Sequence, residues 1–407
     1  MKKALTIGLK IALFNFIIVA IYGTVMRYKI AFSLPFVEQK HLQEAHSHFA
    51  FYGWVTTALY FLILRNVKNH FPEITLKKYI AIIVLNLIGS YGMLASFTLH
   101  GYYWLSIAFS TVSLISSFLY LFVLAYDLKG KNTSSGKWYL GGLFFALLSS
   151  FGVFYLAYSL ASKNITQDGY LACTYYYLHF QYNGFFIFAC IGLLLEKLTQ
   201  IGAKLNEKLN LRIFILMFIG CVLGYGLSVL WMKLPLWIFG IIVIGSISQT
   251  LASGYLLQWV RKNWTLIKEK WTPFQRFILF YVGFAFTVKI LLQLGSNIPA
   301  LNQFAFGFRN IVIAYLHLVL LMCVATYLLF EVYTDKVFSY NKTLIVGVKL
   351  FLLGTFLNEL VLGVNGILSI KYIMLPNTQY YLLVISALIA VALMLILGNL
   401  KIKKDDI

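Results

Sequence analysis

Four histidines are the residues of this chain best suited to chemistry: His46, His48, His179 and His317. Each lies a short way into an apolar stretch. Charge counting brings the three stretches that hold them into a bilayer from the same side. Imidazoles gathered at one level of a helical bundle are what a haem or a transition metal needs.

Their surroundings differ. His46 and His48 open one stretch and stand about 200° apart around a helix, so they do not face one ligand together. Gly53 follows, where a flat ring or a second helix can approach closely. Two interfacial histidines near the headgroups are the alternative. His179 is followed by Gln181, Tyr182, Asn183 and Gly184 and preceded by Tyr175, Tyr176 and Tyr177. Some of these belong to an interfacial aromatic belt. His179, Gln181 and Asn183 lie deeper, as metal ligand and polar neighbours or as hydrogen bonds between helices. His317 lies eight residues beyond Arg309, about 12 Å deeper at the rise of a helix. An arginine above a deeper histidine suits a haem standing on edge, its propionates at the rim. A plain interfacial anchor is the other reading of Arg309.

Two further ionisable groups interrupt apolar stretches, Lys289 and Glu359, the latter beside Asn358. Burying such a group in a bilayer costs about 2.5–3.5 kcal/mol on insertion scales, so each asks for a reason. They pair with one another, belong to a proton or ion path with Asn183, Gln181 and Tyr315, or are a snorkelling lysine and a structural carboxyl. Acidic residues are otherwise expected to be absent from the apolar stretches. Carboxylate-rich Ca²⁺, Mg²⁺ or di-iron sites are therefore not expected. No phosphate-binding glycine loop, GxSxG or HExxH occurs, which argues against nucleotide hydrolysis by this chain.

The elements that hold these residues follow from composition. The chain has 407 residues, 61% hydrophobic and 11% charged, where a soluble domain carries about 25% charged residues. Its mean hydropathy is +0.82. Apolar runs long enough to cross about 30 Å of hydrocarbon recur near 9–26, 45–64, 79–98, 103–126, 138–161, 172–195, 213–231, 236–259, 277–294, 309–330, 345–366 and 378–399. The expectation is an all-α, polytopic membrane bundle of about twelve helices, forming one integral membrane domain over 1–407. The first run follows a basic segment but lacks a small-x-small cleavage pattern, so it reads as helix one. The six prolines fall mainly in loops, and no repeat between the two halves stands out.

The net charge of +20 resembles a nucleic-acid signal until it is mapped. Of 33 Lys and Arg, one set of alternate loops holds only Arg27, Lys29, Lys40, Lys163, Lys233, Arg309 and Lys371. Nearly all the others, from Lys2 to Lys404, fall on the opposite side. That bias places both termini in the cytoplasm, most simply across the inner membrane. The charge is topogenic and favours anionic lipid; no nucleic-acid partner is expected. The four cysteines form no CxxC or CxxCH pattern, and each reads as a small apolar residue at a helix interface.

Twelve spans with histidines in the second, sixth and tenth resemble the catalytic subunit, subunit I, of the haem–copper oxidase superfamily. That superfamily includes terminal oxidases and nitric oxide reductases. The resemblance covers the whole architecture and rests locally on isolated histidines. It implies that His46 or His48, with Gly53 favouring His46, is the span-two axial ligand of a low-spin haem, and that His317 is its partner. It implies that His179, followed by Gly184, matches the span-six metal-ligand segment, and that Arg309 meets a propionate. The chain departs from the pattern in two places. Span seven, around Cys221 and Tyr225, has no histidine pair. Tyr315 stands where the high-spin haem ligand is expected. One b-type haem is therefore implied, without a complete copper or other second metal site. The expected role is electron transfer, or chemistry or sensing of O2 or NO, as an oxidoreductase if catalytic, with an electron-donor protein or quinone as partner. The alternative is a proton-coupled secondary transporter built on the His, Lys289 and Glu359 groups.

Overall fold

The computed structural model describes residues 2–131, 133–232, 234–302, 309–373 and 375–403. Lys233 and Lys404 of the charge pattern lie outside the described residues. Among the described residues, twelve helices are long and apolar enough to cross a membrane: span one Ala4–Ala31, two Gln39–His70, three Leu76–His100, four Trp104–Leu128, five Gly136–Ser159, six Gln167–Gln200, seven Glu207–Val229, eight Leu236–Lys262, nine Pro273–Gly295, ten Arg309–Tyr333, eleven Lys342–Ile370 and twelve Thr378–Asn399. The protein is an all-α polytopic membrane bundle. Helices prevail because a bilayer offers backbone groups no water, and a helix pairs them within its own segment. The described strands are a two-residue antiparallel pair, Phe338–Ser339 with Lys401–Ile402.

Several spans run longer than their hydropathy suggested, which revises the expected distribution of carboxylates. Span ten continues to Tyr333 and carries Glu331, 2% exposed; span six continues to Gln200 and carries buried Glu196.

The chain divides into two compact units. The first joins Met1–Tyr120 to Ala325–Ile407 and the second is Leu121–Val324. In the first, Phe16 stacks on Trp54 at 4.5 Å between ring centroids, with Phe351 edge-on to Phe16. Tyr60 stacks on Tyr120 at 4.0 Å, and each hydroxyl finds an acceptor, at Ser117 and at the Tyr60 carbonyl. In the second, Trp138, Phe145, Phe188, Phe214 and Phe218 form one aromatic cluster with centroids 4.7–6.4 Å apart. Trp138 donates its indole N–H to Asn210, so even the fully buried ring has its polar tip paired.

Spans two and six are the most enclosed, with 83% and 89% of their apolar windows buried. Each is interrupted by a π-helical segment, Phe49–Thr56 and Phe180–Phe186. A third such segment, Leu318–Ala325, interrupts span ten. Widening a helix from α to π inserts a residue, which turns everything before it by about 100°. It also disturbs the carbonyl ladder, and the released groups need partners. In span two they have them. Asn15 donates to the Gly53 carbonyl at 2.6 Å and accepts from Tyr91. Asn86 donates to the Tyr52 carbonyl at 2.9 Å and to the Thr57 hydroxyl at 3.0 Å, while Ser116 donates to Asn86. Both asparagines are fully buried.

Replacing Asn86 by Leu should therefore cost about 1–3 kcal/mol through the acceptors and hydroxyls left unpaired. It should also favour α-helix over π-helix in span two. A lower thermal midpoint in detergent, with altered backbone exchange at 49–57, is the expected outcome. Unchanged stability would show that the π segment does not depend on this side chain.

Candidate functional site

Three of the four histidines singled out by sequence occupy one structural position. His48, His179 and His317 are each the last residue of an α-helical segment, immediately before a π segment. They recur at nearly equal intervals, in the second, sixth and tenth spans, the second member of each successive group of four. This feature thus occurs once in each third of the chain. Two of the three copies share a local signature: His48-Phe49-Ala50-Phe51-Tyr52-Gly53-Trp54 and His179-Phe180-Gln181-Tyr182-Asn183-Gly184-Phe185. The common pattern is His-Phe-x-aromatic-x-Gly-aromatic. The glycines admit close neighbours; a Cβ at Gly184 would collide with the Phe145 ring, and one at Gly53 with Phe49.

In the first unit, His46 donates from Nδ1 to the Val19 carbonyl of span one at 3.0 Å. Gly23 lies against the same ring, where a Cβ would stand 3.3 Å from His46 Cε1. His48 donates from Nδ1 to the Glu44 carbonyl one turn back at 2.9 Å and stacks on Phe97 at 4.4 Å. The Glu44 carboxylate is 3.8 Å from the same nitrogen. Glu359 accepts a hydrogen bond from Asn358 at 3.1 Å.

In the second unit, His317 donates from Nδ1 to the Ile313 carbonyl at 2.8 Å. Arg309 begins the same helical segment and is exposed. His179 differs from the other three. It is 1% exposed, its Nε2 donates to the Cys221 carbonyl at 2.8 Å, and its Nδ1 accepts from Asn183 at 3.1 Å. A carbonyl oxygen only accepts, so the Cys221 contact fixes the tautomer and the Asn183 amide orientation follows from it. Gln181 donates to Ser149 at 3.0 Å. The Tyr182 and Tyr315 rings meet edge-on at 6.3 Å.

The same logic separates the histidines by what they offer a metal. In neutral His46, His48 and His317 the proton sits on Nδ1, facing a main-chain carbonyl, and the lone pair is on Nε2. That is the arrangement in which protein-held imidazoles bind metal, the second nitrogen orienting the ring. His179 has both nitrogens engaged inside the protein, so a metal there would have to displace Asn183 or break the Cys221 contact. Among the described residues, no group of three or more His, Cys, Asp or Glu is placed to hold a metal ion.

Lys289 and Glu359, expected as a pair or a path, belong to different units. Lys289 is 2% exposed on span nine. Its electrostatic neighbours are Cys221, Cys323 and His179, and its Nζ lies 5.8 Å from the Phe286 ring centroid. Among the described residues of the second unit, seven polar side chains have buried atoms without a hydrogen-bond partner: Gln181 Oε1, Asn183 Oδ1, Gln249 Nε2, Arg276 Nε, Gln293 Oε1, Asn297 Oδ1 and the Tyr315 hydroxyl. Nearby, an open groove of about 360 Å³ is walled by Phe151, Tyr155, Cys173, Tyr176 and Tyr225. The Tyr225 ring also lies 6.1 Å from that of His179.

Asn15 and Asn86, which seat the span-two π segment, were not singled out by sequence. Their signal was a carboxamide in the middle of an otherwise apolar span. No family model and no curated protein matches this chain.

Proposed function

We propose that this chain is a membrane haem protein similar to the haem–copper oxidase catalytic subunit. It would hold a low-spin, b-type haem on imidazoles supplied by His317 and by His46 or His48. The observation that carries the reading is the shared tautomer of these rings: Nδ1–H donates to a main-chain carbonyl, which makes Nε2 the lone-pair nitrogen. The donor set fits an iron porphyrin, whose axial positions take neutral imidazole. The π segment beside His48 and His317 supports the same reading, since π-helical turns in membrane and soluble proteins concentrate at functional sites.

In this role the residues bind and orient. The Val19, Glu44 and Ile313 carbonyls hold the rings against rotation, and Gly23 leaves room beside His46. Arg309, at the head of span ten, would meet a propionate carboxylate. Bound haem would supply one-electron chemistry, for electron transfer or for chemistry or sensing of O2 or NO. The electron donor would be a protein or a membrane quinone, and the positive-inside bias places both termini in the cytoplasm of an inner membrane.

A reduced-minus-oxidised spectrum of protein purified from haem-replete cells, with a pyridine assay for haem type and number, tests the reading. Sharp reduced bands and one haem per chain are expected; a colourless protein overturns it. The second reading, a proton-coupled transporter, is favoured by the buried Lys289. Proton-dependent uptake into vesicles by a haem-free protein would select it.

A further inference from the structure

We propose that Lys289 is a proton-exchanging site inside the second unit, solvated by internal water rather than paired with an ion. The side chain is enclosed by protein, and among the described residues it has neither a hydrogen-bond acceptor nor an ion-pair partner. An ammonium only donates and must find lone pairs. The polar atoms left over in the same unit include several of the opposite kind, beside one donor on the adjacent span eight, Gln249 Nε2. Gln293 Oε1 lies one turn further along the same helix and is buried without a donor. Asn183 Oδ1 is in the same state, since its amide nitrogen is committed to His179. The Tyr315 hydroxyl adds a group that both donates and accepts.

This mixture decides the ligand. A small anion would satisfy Lys289 and be repelled by the carboxamide oxygens. A metal cation would satisfy those oxygens and be repelled by Lys289. Water donates and accepts, and buried waters typically make about three hydrogen bonds to groups otherwise unpaired. The titratable groups facing Lys289 are His179 from span six, Cys221 from span seven and Cys323 from span ten. None of them is an acid that would hold the ammonium as a fixed salt bridge. Span eight, packed against span nine, contributes buried Ser246 and Gln249, which do not titrate. A lysine in this setting gives its Nζ proton to an adjacent water and recovers it from water, with no heavy-atom bond made or broken. An ionisable group inside a bilayer is by default a functional one, and Tyr225, which lines the open groove, lies 6.1 Å from the His179 ring.

The test is reductive methylation of the full-length purified protein with isotopically labelled formaldehyde, read by peptide mass spectrometry. The reagent modifies only an unprotonated amine that it reaches through water. Exposed Lys129 serves as the loop reference. Lys289 is expected to become dimethylated in the folded protein, more slowly than Lys129. In Gln293→Leu, Tyr315→Phe, or the two together, its rate should fall by about tenfold, the scale of one lost buried hydrogen bond, with Lys129 unchanged. Gln293→Asn, which keeps the carboxamide, should stay near wild type. The proposal is overturned if Lys289 stays unmethylated until the wild-type protein unfolds, a result that needs no variant. It is also overturned if every folded variant labels at the wild-type rate. The readout is independent of haem content, so this site and the haem reading stand or fall separately.

Discussion

Replacing His317 by Ala should strip most of the proposed haem from the purified protein, leaving the polypeptide folded and nearly colourless. An axial imidazole is a direct bond to iron. Loss of a group that merely orients such a ligand already costs about 10–100-fold in metal affinity, so loss of the ligand itself should cost more. His46→Ala and His48→Ala separate the two candidates of span two. One should behave like His317→Ala and the other should retain the Soret band. The Val19 contact and the glycine beside the ring favour His46 as the residue that matters; the position before the π segment favours His48. His179→Ala should keep its haem, because both nitrogens are already used. Its penalty should be one of stability, about 1–3 kcal/mol for the unpaired Cys221 carbonyl and Asn183 amide. Full haem retention in His317→Ala would remove the assignment. A His179→Ala protein that folds normally but loses its haem would move the ligand to span six.

The spans and the four histidines were legible because both signals survive without tertiary context. Apolar runs report on the bilayer, and a polar residue inside one is conspicuous. The junction that the histidines mark was not legible. Both an α and a π segment of span two read as apolar sequence, and hydropathy has no term for the hydrogen-bond ladder. Asn15 and Asn86 carry that information, yet each lies in a different helix from the carbonyl it serves. The donor state of His179 was hidden for the same reason: the Cys221 carbonyl belongs to a span that offers no functional side chain there. The pairing of Lys289 with Glu359 was an expectation from depth alone, and the two residues belong to separate units. The likeness of spans two and six was present in the sequence as His-Phe-x-aromatic-x-Gly-aromatic, whereas span ten shares only the histidine and its position before a π segment.

The largest effect on stability should come from a residue with no part in either proposed site. Replacing Arg65 by Ala should lower the thermal midpoint in detergent by the equivalent of about 3–5 kcal/mol, the usual cost of leaving a buried charge without its partner. Arg65 sits near the end of span two and reaches Asp335 through Nη1 and Glu331 through Nη2, the latter at 3.5 Å. The three side chains are 19%, 11% and 3% exposed in that order. Tyr327 donates to the other Glu331 oxygen at 2.7 Å, and Asp335 accepts from the Val337 amide. Glu331 stands in the last turn of span ten, at the negative end of a helix, where a carboxylate is disfavoured. The guanidinium offsets that placement, so its removal exposes two acids to each other and to the helix terminus. Lys in place of Arg should recover part of the loss, since one ammonium does not span two carboxylates as a planar fork does. Glu331→Gln with Asp335→Asn, added to Arg65→Ala, should recover most of it by removing the charges that need compensation. If Arg65→Ala melts like wild type, the cluster is solvated and its burial carries no energetic weight. If the neutral triple variant melts no higher than Arg65→Ala alone, packing rather than charge accounts for the loss.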